Sequence, residues 1–237
     1  MTCTVQSIVL VHGAWHGSWC WARVVPLLEE RGFIVRAVDL PSIGADSPPA
    51  ADLSADAAEV RKAIEGTPGE VLVCGHSYGG MVLSHPEVGT HPRVAQLVYV
   101  CAFVPERGQS LFAIGGGKPA PWIRVDERGM TLPDLEQAAE LLYGDCDPET
   151  QRWAIGNLRR QPAAPFAEPV ADPAWLRTRS TYIVCTRDRV MPLELQRCLF
   201  AARTGSLLEL EAGHSPFLSR PAELARHLAG CGSIIPA

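Results

Sequence analysis

The sequence predicts an α/β protein: a mostly parallel β-sheet flanked by helices and interrupted by a small helical cap. Three observations carry this. Short apolar runs alternate with longer amphipathic stretches, the pattern of strands buried on both faces and joined by crossover helices. One interruption, rich in Pro and Gly at its edges, is too long for a plain loop. And 237 residues, 47% of them hydrophobic, can fill one sizeable core.

The elements follow in order. Ser7–Val11 reads as a strand, Trp19–Arg31 as a helix stopped at Gly32, and Phe33–Val38 as the second strand. Leu53–Glu65 is a helix ending at Gly66, and Glu70–Cys74 a strand running into a Gly-rich turn and a short helix. Ala95–Cys101 is the next strand. Thr181–Cys185 resumes the pattern, followed by a helix over Leu193–Ala202, a strand over Ser206–Leu210 and a last helix over Ala222–Ala229. The core therefore spans residues 1–104 and 175–237. Residues 105–174 form the inserted cap, with helix-like stretches at Pro133–Tyr143 and Pro148–Arg160 and no β-branched apolar run to suggest further core strands. The tail from Cys231 to Ala237 reads as a frayed end or a packed strap.

Composition narrows the function classes. Basic and acidic side chains number 21 and 26, a net charge of −5, which argues against nucleic acid as the main ligand. No run of 18 apolar residues suggests a membrane span. Met1–Gln6 has no basic region and the first apolar run ends at once in His12-Gly13, so the start reads as a strand rather than a signal peptide, and the expected location is cytoplasmic. The eight cysteines form no C-x-x-C pair and no zinc-finger spacing, and they read as buried reduced thiols. Gly115-Gly116-Gly117 lacks the Lys-Ser/Thr of a phosphate-binding loop, so no nucleotide is expected.

The chemistry concentrates at Gly75-His76-Ser77-Tyr78-Gly79-Gly80, directly after a strand. This fits G-x-S-x-G in the setting that the motif requires, strand to sharp turn to helix. A serine at so tight an apex has strained backbone angles, and flanking glycines let the neighbouring chain approach. Ser77 is therefore the candidate nucleophile. A serine needs a base. His214, in the loop after the strand Ser206–Leu210, lies where chain order Ser…Asp…His puts it, and His16 is the other serious candidate. The carboxylate that orients the base should follow the preceding strand, which selects Asp188 over the earlier Asp39. Arg187 and Arg189 beside it read as solvated. The oxyanion needs two donors, the Tyr78 amide and one from the loop Val11–Gly17, where Ala14 is the choice. No metal or organic cofactor is required, because backbone donors hold the oxyanion. Trp15, Tyr78, Trp122 and Phe217 are candidate walls of a substrate pocket between sheet and cap.

These stretches resemble one branch of the α/β-hydrolase family. The resemblance is carried by Val9–Trp21, Gly75–Met81 and Tyr182–Asp188 with Pro192 and Gln196-Arg197. It covers roughly residues 7–112 and 176–230 and fades in the cap. That branch holds plant methylesterases, such as the salicylate-binding methylesterase and polyneuridine aldehyde esterase, the plant hydroxynitrile lyases, and bacterial esterase relatives. The resemblance implies an α/β-hydrolase fold, the triad Ser77, Asp188 and His214, and an oxyanion hole at Ala14 and Tyr78. The lyases have a Thr after the first-strand His and a Lys beside the catalytic His; here those positions are Gly13 and Ser215, as in the esterases. The expectation is a serine esterase acting on a small apolar or aromatic ester. A hydroxynitrile lyase, thioesterase or lactonase on the same triad, and a low-turnover binding protein of the same fold, are the alternatives. A homodimer is compatible with the sequence. One departure stands out: Pro86 falls about two turns into the helix behind Ser77, where it should kink or end that helix.

Overall fold

The computed structural model describes residues 5–44 and 51–233. Its strands, in chain order, are β1 (Ser7–Val11), β2 (Ile34–Val38), β3 (Val71–His76), β4 (Val94–Val100), β5 (Ile123–Val125), β6 (Met130–Pro133), β7 (Gln161–Pro162), β8 (Ser180–Cys185) and β9 (Ser206–Leu210). Six of them form one sheet in the order β2-β1-β3-β4-β8-β9, and every neighbouring pair is parallel. The fold class expected from the sequence is therefore the one adopted.

Register and side-chain alternation explain the two cores. In β1, Val9 and Val11 pack on one face with Leu53, Val60 and Met81, while Ile8 and Leu10 pack on the other with Trp21, Leu28 and Leu224. A strand buried on both faces must be apolar at successive positions, and β1, β3 and β8 are buried throughout. The edge strands β2 and β9 are half exposed and carry Arg36 and Glu209. The helix Leu53–Glu65 is capped by Asp52, whose carboxylate accepts from the Ala55 amide at 2.8 Å.

Several elements differ from expectation. The long first helix is divided into a 3₁₀ turn at Ser18–Trp21 and a short helix at Val25–Glu29, because Pro26 starts a new first turn instead of continuing the old one. The helix behind Ser77 runs Gly79–Ser84 and stops at His85, whose φ −64°, ψ 134° is the extended conformation forced on a residue before proline; Pro86 then opens a separate turn, Pro86–Gly89. The expected helix from Leu193 begins as α, then widens into a π-type turn at Gln196–Phe200. The last helix runs Pro221–Ser233, so the start of the expected tail is helical, while residues 234–237, residues 1–4 with Cys3, and residues 45–50 lie outside the described residues.

The stretch between β4 and β8 holds the expected helices at Leu135–Tyr143 and Pro148–Asn157. It is not helical alone: β5, β6 and β7 make a small antiparallel sheet. These strands are two to four residues long, too short for an alternating pattern to register in sequence.

Candidate active site

β3 ends in the turn that carries Ser77, which has φ +50°, a left-handed conformation rare for a residue with a Cβ. The turn closes because Gly79 follows: a Cβ there would lie 2.9 Å from the carbonyl oxygens of both Val11 and His12. The elbow is thus packed directly on the end of β1, and the loop after β1 faces it. Trp15 in that loop also has positive φ, +62°.

Ser77, His214 and Asp188 meet. His214 Nε2 lies 3.1 Å from Ser77 Oγ and Nδ1 lies 2.8 Å from Asp188 Oδ2. A carboxylate only accepts, so Nδ1 carries the proton and Nε2 faces the serine hydroxyl as an acceptor. Asp188 is itself fixed: its Oδ1 accepts from the amides of Val190 at 2.8 Å and Met191 at 3.0 Å, and its side chain is fully buried. The flanking Arg187 and Arg189 pair outward with Glu211 and Glu140 and are more than half exposed, as expected of solvated charges.

The other histidines near the site are neutral at pH 7, for one main reason. Burial drives His12 down to about 4, His16 down to about 3 and His76 well below its ordinary value. Each donates to a backbone carbonyl: His12 Nδ1 to Gly13 at 2.8 Å, His16 Nδ1 to Ala14 at 2.7 Å and His76 Nε2 to His214 at 2.7 Å. The remaining nitrogen of His16 accepts from the Tyr143 hydroxyl at 2.7 Å. Both nitrogens being engaged, His16 does not offer a base to Ser77. Asp39 accepts from the Ser18 amide and hydroxyl at 2.7 and 2.8 Å and takes no part in the His214 pair.

The amides of Ala14 and Tyr78 have no acceptor among the described residues. Both residues line a cavity of about 200 Å³ that also reaches Ser77 and His214. Its walls are apolar and aromatic, including Trp15, Trp122, Phe103, Phe112 and Phe166. Trp15 and Trp122 meet edge to face with centroids 5.5 Å apart. Tyr78 lines the cavity too, but its hydroxyl turns away to Asp56 Oδ2 at 2.7 Å. Phe217, expected from the sequence as a wall, does not line the cavity. It is fully buried beneath His76 and Trp21, with centroids 4.9 and 5.2 Å away, because the turn at Pro216 directs it into the core. Phe103 sits in a loop, and Phe112 and Phe166 in four-residue helical turns, too short for any periodicity to mark them as walls in the sequence.

Among the described residues, one group has metal-ligating atoms clustered within 4.8 Å: His76, Cys101 and His214. His76 Nε2 and Cys101 Sγ are directed at the His214 carbonyl, and His214 Nδ1 at Asp188. The seven described cysteines are free thiols, and no described helix is long and apolar enough to cross a membrane.

An elbow of this kind at the carboxyl edge of a parallel sheet marks an α/β hydrolase by architecture. At the level of sequence the conclusion is direct: the chain belongs to the alpha/beta hydrolase family, whose family model matches residues 8–227. It is 31% identical to the pyrethroid hydrolase of Sphingobium wenxiniae over 95% of this chain and 87% of that one. It is 28% identical to methylesterase 1 of Arabidopsis thaliana, covering 93% of each. Among solved structures it matches a pyrethroid hydrolase from Sphingobium faniae at 29% identity with a TM-score of 0.84, over 97% of this chain and 98% of that one.

Proposed function

We propose that this protein is a serine esterase that cleaves a small, apolar or aromatic carboxylic ester through an acyl-enzyme. One observation carries the reading: the hydrogen-bonded series Ser77–His214–Asp188 opens onto an apolar cavity flanked by two unengaged amides. Ser77 Oγ attacks the ester carbonyl as His214 Nε2 takes its proton, and Asp188 stabilises the imidazolium. The tetrahedral oxyanion is held by the Ala14 and Tyr78 amides. His214 returns the proton to the leaving alkoxide, the alcohol departs, and water repeats the sequence to release the acid. The lining supports an apolar substrate, since few polar groups would compensate a polar one for lost solvation. The names of the relatives, a methylesterase and a pyrethroid hydrolase, point the same way. The free thiols of the seven described cysteines suit a cytoplasmic location.

Against a lyase stands the loop geometry. A Cβ at Gly13 would sit 2.7 Å from His76 Nδ1 and 3.0 Å from Ser77 Cβ, so a threonine there would displace the histidine or the nucleophile. The test is hydrolysis of short p-nitrophenyl esters by the native chain and by Ser77→Ala. The expected loss is several orders of magnitude, roughly 10⁴-fold or more. Equal rates would end the reading. Cyanide release from mandelonitrile by the native chain would favour the lyase instead.

A further inference from the structure

We propose that Asp56 and Gln161 are positioning residues for the oxyanion hole, tying the segments that carry its two amides through one buried chain of hydrogen bonds. This rests on the esterase reading above. The two amides lie on different segments, the loop after β1 and the elbow after β3, so no covalent geometry fixes their separation. A hole works only if both donors already point at the site of developing charge.

The chain is continuous. The Tyr78 hydroxyl donates to Asp56 Oδ2 at 2.7 Å, and the Ser42 hydroxyl donates to the same oxygen at 2.7 Å. Gln161 Nε2 donates to Ser42 Oγ at 2.9 Å, and Gln161 Oε1 accepts from the Trp15 amide at 3.1 Å. The orientation of Gln161 is forced, since a backbone N–H can only donate. Every donor along the path from Trp15 points toward Asp56, so the dipoles align with the carboxylate and strengthen one another. Asp56, Ser42, Tyr78 and Gln161 are each fully buried. An apolar side chain at position 56 would fill the space without the solvation cost of a buried carboxyl, so a polar group here is best understood as fixing geometry.

The chain holds the second of two successive peptide planes in this loop, and buried histidines hold the two carbonyls. The Gly13–Ala14 plane carries the Ala14 N–H, and its carbonyl is held by His12 Nδ1 at 2.8 Å. In a trans peptide this turns the Ala14 N–H to the opposite side. The next plane is held at both ends, its carbonyl by His16 at 2.7 Å and its N–H by Gln161. Trp15 keeps its φ of +62° under this double restraint, and its indole nitrogen donates to Thr131 Oγ1 at 2.9 Å. Both Gln161 and Thr131 lie between β4 and β8, so this segment helps to shape the hole as well as to wall the cavity.

The test uses Tyr78→Phe, which removes only the hydroxyl and keeps the amide, Gln161→Met, which keeps the size and removes both polar ends, and their combination. Each single change is expected to lower kcat on a p-nitrophenyl ester about tenfold, a fraction of the roughly 10²–10³-fold carried by a whole donor. KM should stay within about twofold, as for a loss confined to the transition state. Affinity for a trifluoromethyl ketone, which forms a tetrahedral adduct on the serine, should fall in step with kcat/KM. The double variant should lose less than the product of the two, as members of one network do. Unchanged kcat with a lowered melting temperature, or losses that simply multiply, would overturn the proposal. Should Gln161→Met fail to fold, Tyr78→Phe with the trifluoromethyl ketone decides alone. A native chain that hydrolyses no ester and is not labelled at Ser77 by a fluorophosphonate defeats the esterase reading itself, whereas native turnover with unaffected variants defeats only the positioning role.

Discussion

The parallel sheet and the segment between β4 and β8 are held by different means. In the sheet, successive apolar residues of β1, β3 and β8 are buried and the backbone is paired strand to strand. The segment has only short elements and reaches back into the core through side chains. Asp145 accepts from the Gly213 amide at 2.6 Å, one residue before His214, and Glu168 accepts from the Leu53 amide at 2.9 Å. Tyr143 bonds His16, and Gln161 bonds Trp15. Several of these ties end beside the site. The sheet supplies stability, and the ties supply the fine placement of the loops it presents.

That contrast can be broken by changes whose readouts should separate. The largest effect on stability belongs to the sheet. Leu72→Ala, at a fully buried position in β3, should cost about 2–5 kcal/mol in urea unfolding, with kcat of the folded protein little changed. A large fall in kcat with little loss of stability would mean that the sheet tunes the site too.

Asp56 stands at the joint, on a core helix but wired to Gln161. Burial raises its carboxyl to about 6, against hydrogen bonds from Ser42 and Tyr78 that pull it down. The folded state then holds this proton more tightly than the unfolded chain. Its contribution favours folding at low pH and is lost as pH rises from about 4 through 6, by on the order of 2–3 kcal/mol. Unfolding midpoints measured across that window should be less pH-dependent in Asp56→Asn than in the native chain; the same slope in both would contradict the assignment.

Asp145→Ala should act mainly on turnover. Loss of the bond to Gly213 frees the loop before His214, and kcat should fall about tenfold, about 1.4 kcal/mol, near the lower end of what a hydrogen bond to a charged group contributes. Kinetics and urea midpoints measured on the same preparation test this: a midpoint that moves as far as that of Leu72→Ala, with kcat intact, would erase the distinction between the regions. The smallest effect is expected at the rim. Arg187→Ala removes an exposed pair with Glu211, and both stability and kcat should stay within about 0.5 kcal/mol of native.

Residues differ in how far sequence exposed them. Ser77 was visible because a G-x-S-x-G turn between strand and helix is a local pattern. Asp188 and His214 followed from chain order after strands that were themselves legible. Trp15 lines the cavity together with Ala14, because both sit in the same short loop. Phe217 was misplaced for an equally physical reason: it lies three residues from His214, but the turn at Pro216 sends it inward against His76. Asp56, Gln161 and Asp145 gave no local signal, since each reads as an ordinary polar residue of a helix or loop.

The sequence by itself determined what short-range chemistry and periodicity encode: the order along the chain of the six strands of the main sheet, the faces they bury, and the turn that lifts Ser77. Only the tertiary structure decided which distant side chains meet. The Gln161 amide and the Trp15 backbone are 146 positions apart, and the Asp145 carboxylate reaches Gly213 across 68. A hydrogen bond of about 3 Å depends on the final placement of both partners, and that placement is fixed by the packing of the whole core rather than by either stretch of chain.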